Sequence, residues 1–569
     1  MKIFLFCKKY LMLHKFQLFT YIIIVIISAA IGIVTPYIIG DFLDTLIAGS
    51  SINVVIRFCV IFGGLSIIRI LKGYVTSTMM TKMHYQISYE LNSDIVDHIQ
   101  NLSLSYTNQN EGAYLGQRVN GDSSEVVAFS LTILQNLIAN TVMLIAPLVI
   151  LLHINHFITF LLLGFFAVYI ALYFVFKEPL YKASLANKES QNKFFAKLFE
   201  QLRHIKTVKV HSIQPEMGER MKESFVTMKR DAIHRQKINY VYSGLDGIIS
   251  TAAQIVLFVM GGIQILAGNF TIGMFTIFSS YFGMMMSSGR YFFGLGASYQ
   301  QVMVAFNRLS EIFALSKESC GDIEIRDVNK IILKNVNFAY RDMSKIFTLA
   351  INPDTSTIPK RDKRILEDFS IEFAKGKMYA VSGANGGGKT TLISLILGLY
   401  IDEHGGKIAY DGISIRNINM NFARKHVIAF TEQEPSLIKD SIQYNLIFKN
   451  DQIDLDAVGR YVDILGMENF IAQNSLDFVI DEKNSNLSGG EKQKIALLRV
   501  LYKNSPVMIF DEPTSALDSS ASQRFIGYLQ QIKKEKIIIL ITHDSFVKAM
   551  CDEEIAIEQK QAEMLIGAN

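Results

Sequence analysis

Gly383-Ala384-Asn385-Gly386-Gly387-Gly388-Lys389-Thr390-Thr391 is the stretch whose reading decides the fold of this chain. It follows the apolar run Met378–Val381 and precedes Leu392–Leu399, so it reads as strand, loop and helix. The spacing G-x-x-x-x-G-K-T is that of a phosphate cradle. Its glycines let successive backbone N–H groups turn inward around a β-phosphate, at the positive end of the following helix. Lys389 offers a cation to the β- and γ-oxygens, and Thr390 a hydroxyl to Mg²⁺. A glycine-rich loop alone would be bland. With strand, lysine and threonine in register, the stretch reads as a site for a nucleoside triphosphate with Mg²⁺.

The chain has 569 residues, too many for one domain. Half are hydrophobic and the mean hydropathy is +0.26, yet the apolar stretches gather in the first half. That half reads as membrane and the remainder as a soluble α/β domain. A net charge of +4 is small for this size and gives no argument for nucleic-acid binding, so no nucleic-acid partner is expected. Cys7, Cys59, Cys320 and Cys551 show neither metal-site spacing nor an evident disulfide pairing. The basic, then apolar N-terminus lacks a small-residue cleavage pattern between Pro36 and Asp44, so it reads as a retained first span.

Six apolar segments have the length a helix needs to cross hydrocarbon: Phe16–Ile39, Val54–Val75, Phe129–Leu152, Phe157–Phe176, Leu245–Ala267 and Ile272–Leu295. Lys2, Lys8, Lys9 and Lys15 precede the first. The short connections Gly40–Asn53, His153–His156 and Gly268–Thr271 contain no Lys or Arg, whereas Lys177–Lys237 is rich in both. The positive-inside rule then places both termini in the cytosol of a cell-membrane protein. Lys72–Val127 and Lys177–Ser243 are too long for turns and read as helical hairpins extending the spans into the cytosol. Ile87, Leu91, Ile95 and His98 recur there at helical spacing. Each hairpin is expected to break near its tip, at Asn108–Gly116 and at Ser212–Gly218 with Pro215, and short helices at those tips would touch the ATPase domain. Met79, Met80, Met83 and Met284–Met286 read as packing. Arg290 lies well along the sixth span, where an unpaired charge costs at least ~2.5 kcal/mol. Either it snorkels to the inner headgroups or it faces a wet cavity and meets substrate.

Residues 1–306 form the expected membrane domain, 307–320 a linker and 321–569 the soluble domain. Alternating Ile323, Ile325, Ile331, Leu333, Val336 and Phe338 read as strands. They end at Tyr340, an aromatic that either stacks on adenine or fills the core. Arg341–Lys363, polar and with two prolines, reads as a surface loop or long hairpin. Beyond the phosphate cradle, Val507–Phe510 is a buried strand ending in Asp511 and Glu512. Asp511 can hold Mg²⁺ through its water shell, and Glu512 can orient or deprotonate the attacking water. Leu487-Ser488-Gly489-Gly490-Glu491 opens a helix, with Ser488 as N-cap and the glycine N–H groups free to meet an anion. Gln433, after the strand Val427–Phe430, is placed to follow Mg²⁺ and water. His543, after Ile537–Ile541, is placed to contact the γ-phosphate.

In this order the motifs resemble those of a half-size ABC exporter of the six-helix, domain-swapped type found among multidrug, lipid and peptide exporters. The resemblance covers nearly the whole length. It implies an all-α membrane domain of six helices with long cytoplasmic extensions, then an α/β P-loop ATPase domain with an antiparallel β subdomain and a helical subdomain. It implies ATP-driven export of an amphipathic or hydrophobic substrate by alternating access, in contact with membrane lipid. Ser515-Ala516-Leu517-Asp518 and His543 match further family motifs, Asp518 joining the ATP-binding set, and Tyr340 matches the adenine-stacking aromatic. Asn110–Asn120 and Val210–Arg220 resemble the two coupling-helix regions. In the family two nucleotide domains meet head to tail, so each ATP is closed by the partner's signature helix. Every motif here is intact, which favours a homodimer over a heterodimer.

Four departures stand out. Glu491 replaces the usual glutamine that closes the signature, which is expected to tune affinity without abolishing closure. Asp481 stands where a glycine is common before Glu482. Arg341–Lys363 is longer than usual. No cysteine-protease domain precedes the first span, so leader-peptide cleavage is not expected. The competing function is a membrane ATPase that regulates or senses. A P-loop kinase is excluded because it would carry neither the signature nor His543, and long inner hairpins fused to six spans disfavour an importer.

Overall fold

A computed structural model describes residues 2–49, 51–109, 115–116, 118–340, 364–384, 386–449, 451–481 and 486–557. The insertion 341–363 and Asn385 fall outside these. The chain divides into two compact units. One comprises residues up to Val96 together with Gly116–Ile312; the other comprises Asp97–Leu115 together with the chain from Phe313 onward.

The first unit is helical throughout. Among the described residues, five helices are long and apolar enough to cross a membrane: Lys15–Ile47, Ile52–Gln100, Arg118–Ile154, His156–Arg203 and Gln214–Leu266. Backbone N–H and C=O groups in hydrocarbon must be satisfied within the segment, and helices of 33 to 53 residues do so. The sixth expected span falls on the 43-residue helix Ile272–Ala314, which continues past residue 306 into the expected linker. Ser279, Ser280, Gly283, Ser287 and Ser288 dilute its hydropathy. Asp44, at the end of the first span, fixes where this helix begins. Its two carboxylate oxygens accept from the Gly273 N–H at 2.7 Å and the Thr271 hydroxyl at 2.5 Å. A Cβ on Gly273 would sit 2.1 Å from the Gly40 carbonyl, so two glycines allow these helices to cross backbone to backbone.

The sequence signals did not separate the short helix Lys2–Leu13, which buries Ile3, Cys7, Tyr10 and Leu11 and is anchored by Lys9 and Tyr10 to Asp94. Met83, Met285 and Met286 are buried packing residues, as are Ile87, Leu91 and Ile95. At the tips of the extensions the short helices are Leu104–Gln109 and Ile205–Val210. Residues 110–114 of the first expected break lie outside the described residues; the second short helix precedes its expected break, because Pro215 stands in the first turn of Gln214–Leu266 and starts that helix. Proline in a first turn lacks only an N–H that has no helical partner, so it opens a helix as readily as it interrupts one.

Arg290 is paired within the helical unit, a contact the sequence reading did not anticipate. Its Nε lies 3.3 Å from Asp246 Oδ2 and its Nη2 donates to Ser250 Oγ at 3.1 Å, both on Gln214–Leu266. The charge is therefore compensated by a neighbouring helix. Asp246 is the more buried partner, with 16% of its side chain exposed against 45% for Arg290. Arg290→Ala should destabilise the protein by ~1–2 kcal/mol by leaving that carboxylate without its cation, and adding Asp246→Asn should recover most of the loss. Thermal unfolding in detergent reads both.

In the second unit, β1 (Lys330–Ala339), β2 (Arg364–Ala374), β4 (Gly405–Tyr410) and β5 (Ile413–Ser414) form an antiparallel sheet in the order β2-β1-β4-β5. β3 (Met378–Gly383), β6 (Ile428–Thr431), β7 (Val507–Asp511), β8 (Ile537–Ile541) and β9 (Glu553–Ile557) form a parallel sheet, ordered β6-β7-β8-β3-β9. β7 and β8 are buried along their whole length, as parallel strands covered on both faces must be. The tip of the first extension belongs to this unit. Both Ser103 and Ser105 donate to the carboxylate of Glu403, and Lys317 pairs with Asp97 at 3.0 Å.

Candidate active site

All the sequence-predicted catalytic residues lie at or just beyond the carboxyl ends of β3, β6, β7 and β8. Open parallel sheets bind ligands there, because strand ends and helix starts converge on one edge. β3 ends at Gly383, and the loop from Ala384 leads into the helix Lys389–Ile396. Gly388 is the N-cap of that helix at φ +101°, a left-handed backbone that favours glycine. Lys389 Nζ donates to the carbonyls of Gly383 at 2.7 Å and Ala384 at 3.2 Å, and Gly387 N–H returns to Ala384 O at 3.0 Å. The lysine thus braces its own loop. Thr390 is exposed at the helix start and Gly386 sits in the loop before it. Thr391 is buried, and its hydroxyl meets that of Tyr340 at 2.9 Å. Tyr340 remains 41% exposed with its ring edge-on to Phe338 and Tyr400, which leaves ring surface accessible beside the loop.

β7 delivers the carboxylates. Asp511 is 8% exposed, and burial raises its pKa to about 6, with Glu512 adding to the shift and Lys389 opposing it. A carboxylate held out of water and within electrostatic reach of Lys389 has the donor chemistry of a divalent-cation site. Among the described residues no three His, Cys, Asp or Glu side chains gather at one point. Magnesium here would therefore draw its remaining oxygens from nucleotide and water. Because folding raises this pKa above its ordinary 3.8, Asp511 destabilises the native state increasingly as pH rises from about 4 to about 6. Asp511→Asn should accordingly stabilise the nucleotide-free protein at pH 7 by on the order of 1–3 kcal/mol while removing metal-dependent turnover. In the wild type, kcat/KM for MgATP should fall about tenfold per unit below pH ~6, where the free carboxyl is protonated.

Glu512 turns the chain out of β7 at φ +49°. Its carboxylate accepts from Gln433 Nε2 at 2.7 Å, so the structure joins two residues that are 79 positions apart in sequence. His543 is exposed two residues beyond β8. Ser488 caps Gly489–Lys503. Its hydroxyl accepts from Glu491 N–H at 3.2 Å, and Glu491 Oε2 accepts from Ser488 N–H at 2.6 Å. Glu491 thereby completes a capping box, a role that the usual glutamine could also fill. Ser488 and Gly489 stay exposed and Gly490 half-buried. Asp518 caps the next helix, accepting from Ala521 N–H at 2.8 Å, and that bond holds its carboxyl below the usual range. One group in this region escaped the sequence reading, Gln493, which bonds to the Ser515 of an expected motif. Gln493 donates to the Glu512 carbonyl at 2.8 Å, and Ser515 hydroxyl reaches Gln493 Oε1 at 2.9 Å. A buried glutamine one turn into the signature helix was the available signal.

Comparison with known proteins agrees with this arrangement. Residues 18–288 match the family described as the ABC transporter transmembrane region, and residues 366–515 match the ABC transporter family. The chain is 26% identical over 536 residues to the lactococcin-G-processing and transport ATP-binding protein LagD of Lactococcus lactis subsp. lactis, covering 93% of this chain and 73% of that one. It is 32% identical over 317 residues to the ATP-dependent lipid A-core flippase of Pasteurella multocida, covering 55% and 51%. The fold matches that of a bacterial Atm1-family ABC exporter with ATP bound, with a TM-score of 0.81 at 18% identity over 96% of this chain and 93% of that one. With an exporter-type membrane region and an ABC ATPase matched in tandem along a single polypeptide, this chain belongs to the ABC transporters and is a half-size exporter driven by ATP.

Proposed function

We propose that two copies of this chain form a homodimer in the cytoplasmic membrane, ATPase domains in the cytosol, and export an amphipathic peptide or antibiotic, lipid or drug. The observation that carries the catalytic part is the Gln433–Glu512 bond beside the buried Asp511, at the strand ends that also present Lys389. Two named relatives act on lactococcin G and on the lipid A-core, which supports keeping peptide and lipid among the substrate classes.

ATP replaces the Gly383 and Ala384 carbonyls on Lys389 with phosphate oxygens. The N–H groups of residues 384–391 cradle the phosphates, and Tyr340 stacks on the base. Thr390, Asp511 and the Gln433 side chain would hold Mg²⁺, which would screen charge on the phosphates. Released from Gln433, Glu512 takes the proton of the attacking water, and His543 steadies the γ-phosphate. Ser488, Gly489, Gly490 and Glu491 of one copy, with its Asp518, close over the nucleotide of the other. Closure turns the membrane cavity outward and hydrolysis resets it, as differential binding to two states requires. Each class is tested by adding amphipathic peptides, lipids and dyes to reconstituted protein. A saturable change of at least about twofold in ATPase rate with one class assigns the substrate. A flat response to all three removes this account of the substrate.

A further inference from the structure

We infer that Gln493 is a positioning residue for hydrolysis, tying the helix Gly489–Lys503 and Ser515 to the backbone of Glu512. The inference rests on the proposed role of Glu512 and adds a residue to it. Glu512 occupies the left-handed region at φ +49°, which is strained for a residue with a side chain and persists only if its surroundings impose it. Its N–H is taken by Ile541 O at 2.9 Å, which fixes it to β8. Its carbonyl receives Gln493 Nε2 at 2.8 Å, Ser515 Oγ at 3.0 Å and Ser515 N–H at 3.3 Å.

Gln493 is 6% exposed, and both ends of its amide are used. The Glu512 carbonyl can only accept, so the amide nitrogen must face it. The amide oxygen then accepts from Ser515 Oγ at 2.9 Å. Ser515 has one hydroxyl proton for two acceptors, so Gln493 supplies the side-chain donor that is always committed to the Glu512 carbonyl. Glutamine suits this position because it donates at one end and accepts at the other without charge. The residue also stands on the helix that Ser488 opens, so any tilt of the helix start is transmitted to the Glu512 peptide. A carboxylate that must meet a water tolerates little displacement, since an error near 1 Å can cost about 10²-fold in rate.

The test uses full-length protein in lipid nanodiscs. Gln493→Met keeps length and packing but removes donor and acceptor. It should lower kcat about 5–30-fold while the KM for ATP stays within about twofold. Gln493→Glu, which cannot donate to the carbonyl, should not restore the rate. Placed in Glu512→Gln, the same Gln493→Met change should cause no further loss of residual hydrolysis, because the group it positions is already gone. An unchanged kcat in folded Gln493→Met would overturn the inference, as would equal fold-losses in both backgrounds. Should Gln493→Met fail to fold, the exposed Ser515→Ala carries the same comparison, with about a 2–5-fold loss expected only when Glu512 is present. Near-normal turnover in Glu512→Gln alone would remove the Glu512 reading itself, an outcome distinct from either of these.

Discussion

Glu512→Gln should leave ATP binding within a few-fold of wild type and lower hydrolysis by roughly 10²–10⁴-fold. The amide keeps the size of the side chain and can still meet Gln433, whose own amide can present either its nitrogen or its oxygen after a flip. What is lost is a group able to take a proton from water. Lys389, Thr390 and Asp511 remain, so phosphate and metal binding are retained and the protein should accumulate as an ATP-closed dimer. Steady-state hydrolysis, together with ATP retention after rapid dilution, reads both quantities. Turnover near the wild-type rate would move the base elsewhere.

Lys389→Ala should lower ATP affinity by about 10–100-fold, the range for losing a hydrogen bond to a charged group. The folded state should scarcely notice. Lys389 is bound to two loop carbonyls at 2.7 and 3.2 Å, and solvent can reach the Ala384 end once the side chain is cut away. The unfolding midpoint without nucleotide should therefore shift little, while the stabilisation produced by added ATP largely disappears. Titrating nucleotide against the unfolding midpoint separates the two. A large loss of stability without nucleotide would make Lys389 a loop brace first and a phosphate ligand second.

The residues explain why some features were legible and others were not. The cradle at Gly383–Thr391 could be read because its chemistry is local: strand, turn, cation and helix follow one another within a few residues. The membrane helices were legible for the same reason, since hydrocarbon demands an unbroken apolar run. Contacts between distant positions were not. Arg290 and Asp246 lie 44 residues apart. The first was noticed only as an isolated charge, and the second lies at the edge of a span, where an acid is unremarked. Asp44 reads as a loop acid until Gly273 and Thr271 are brought to it. Pro215 misled because proline both ends and begins helices, and periodicity does not say which. Glu491 read as a departure that tunes affinity, and the fold shows it in a capping box with Ser488. Gln493 carried no motif weight by itself, since its meaning depends on the carbonyl it reaches.

The central claim is that ATP hydrolysis at this site drives substrate outward. Inside-out membrane vesicles bearing the wild-type chain, supplied with MgATP and fluorescent amphipathic peptide, lipid or dye, test it most directly. The account predicts ATP-dependent accumulation of at least one probe, absent with ADP and absent in Glu512→Gln vesicles. Vigorous ATP hydrolysis by the wild type with no accumulation of any probe would contradict it, and would favour a membrane ATPase that regulates or senses.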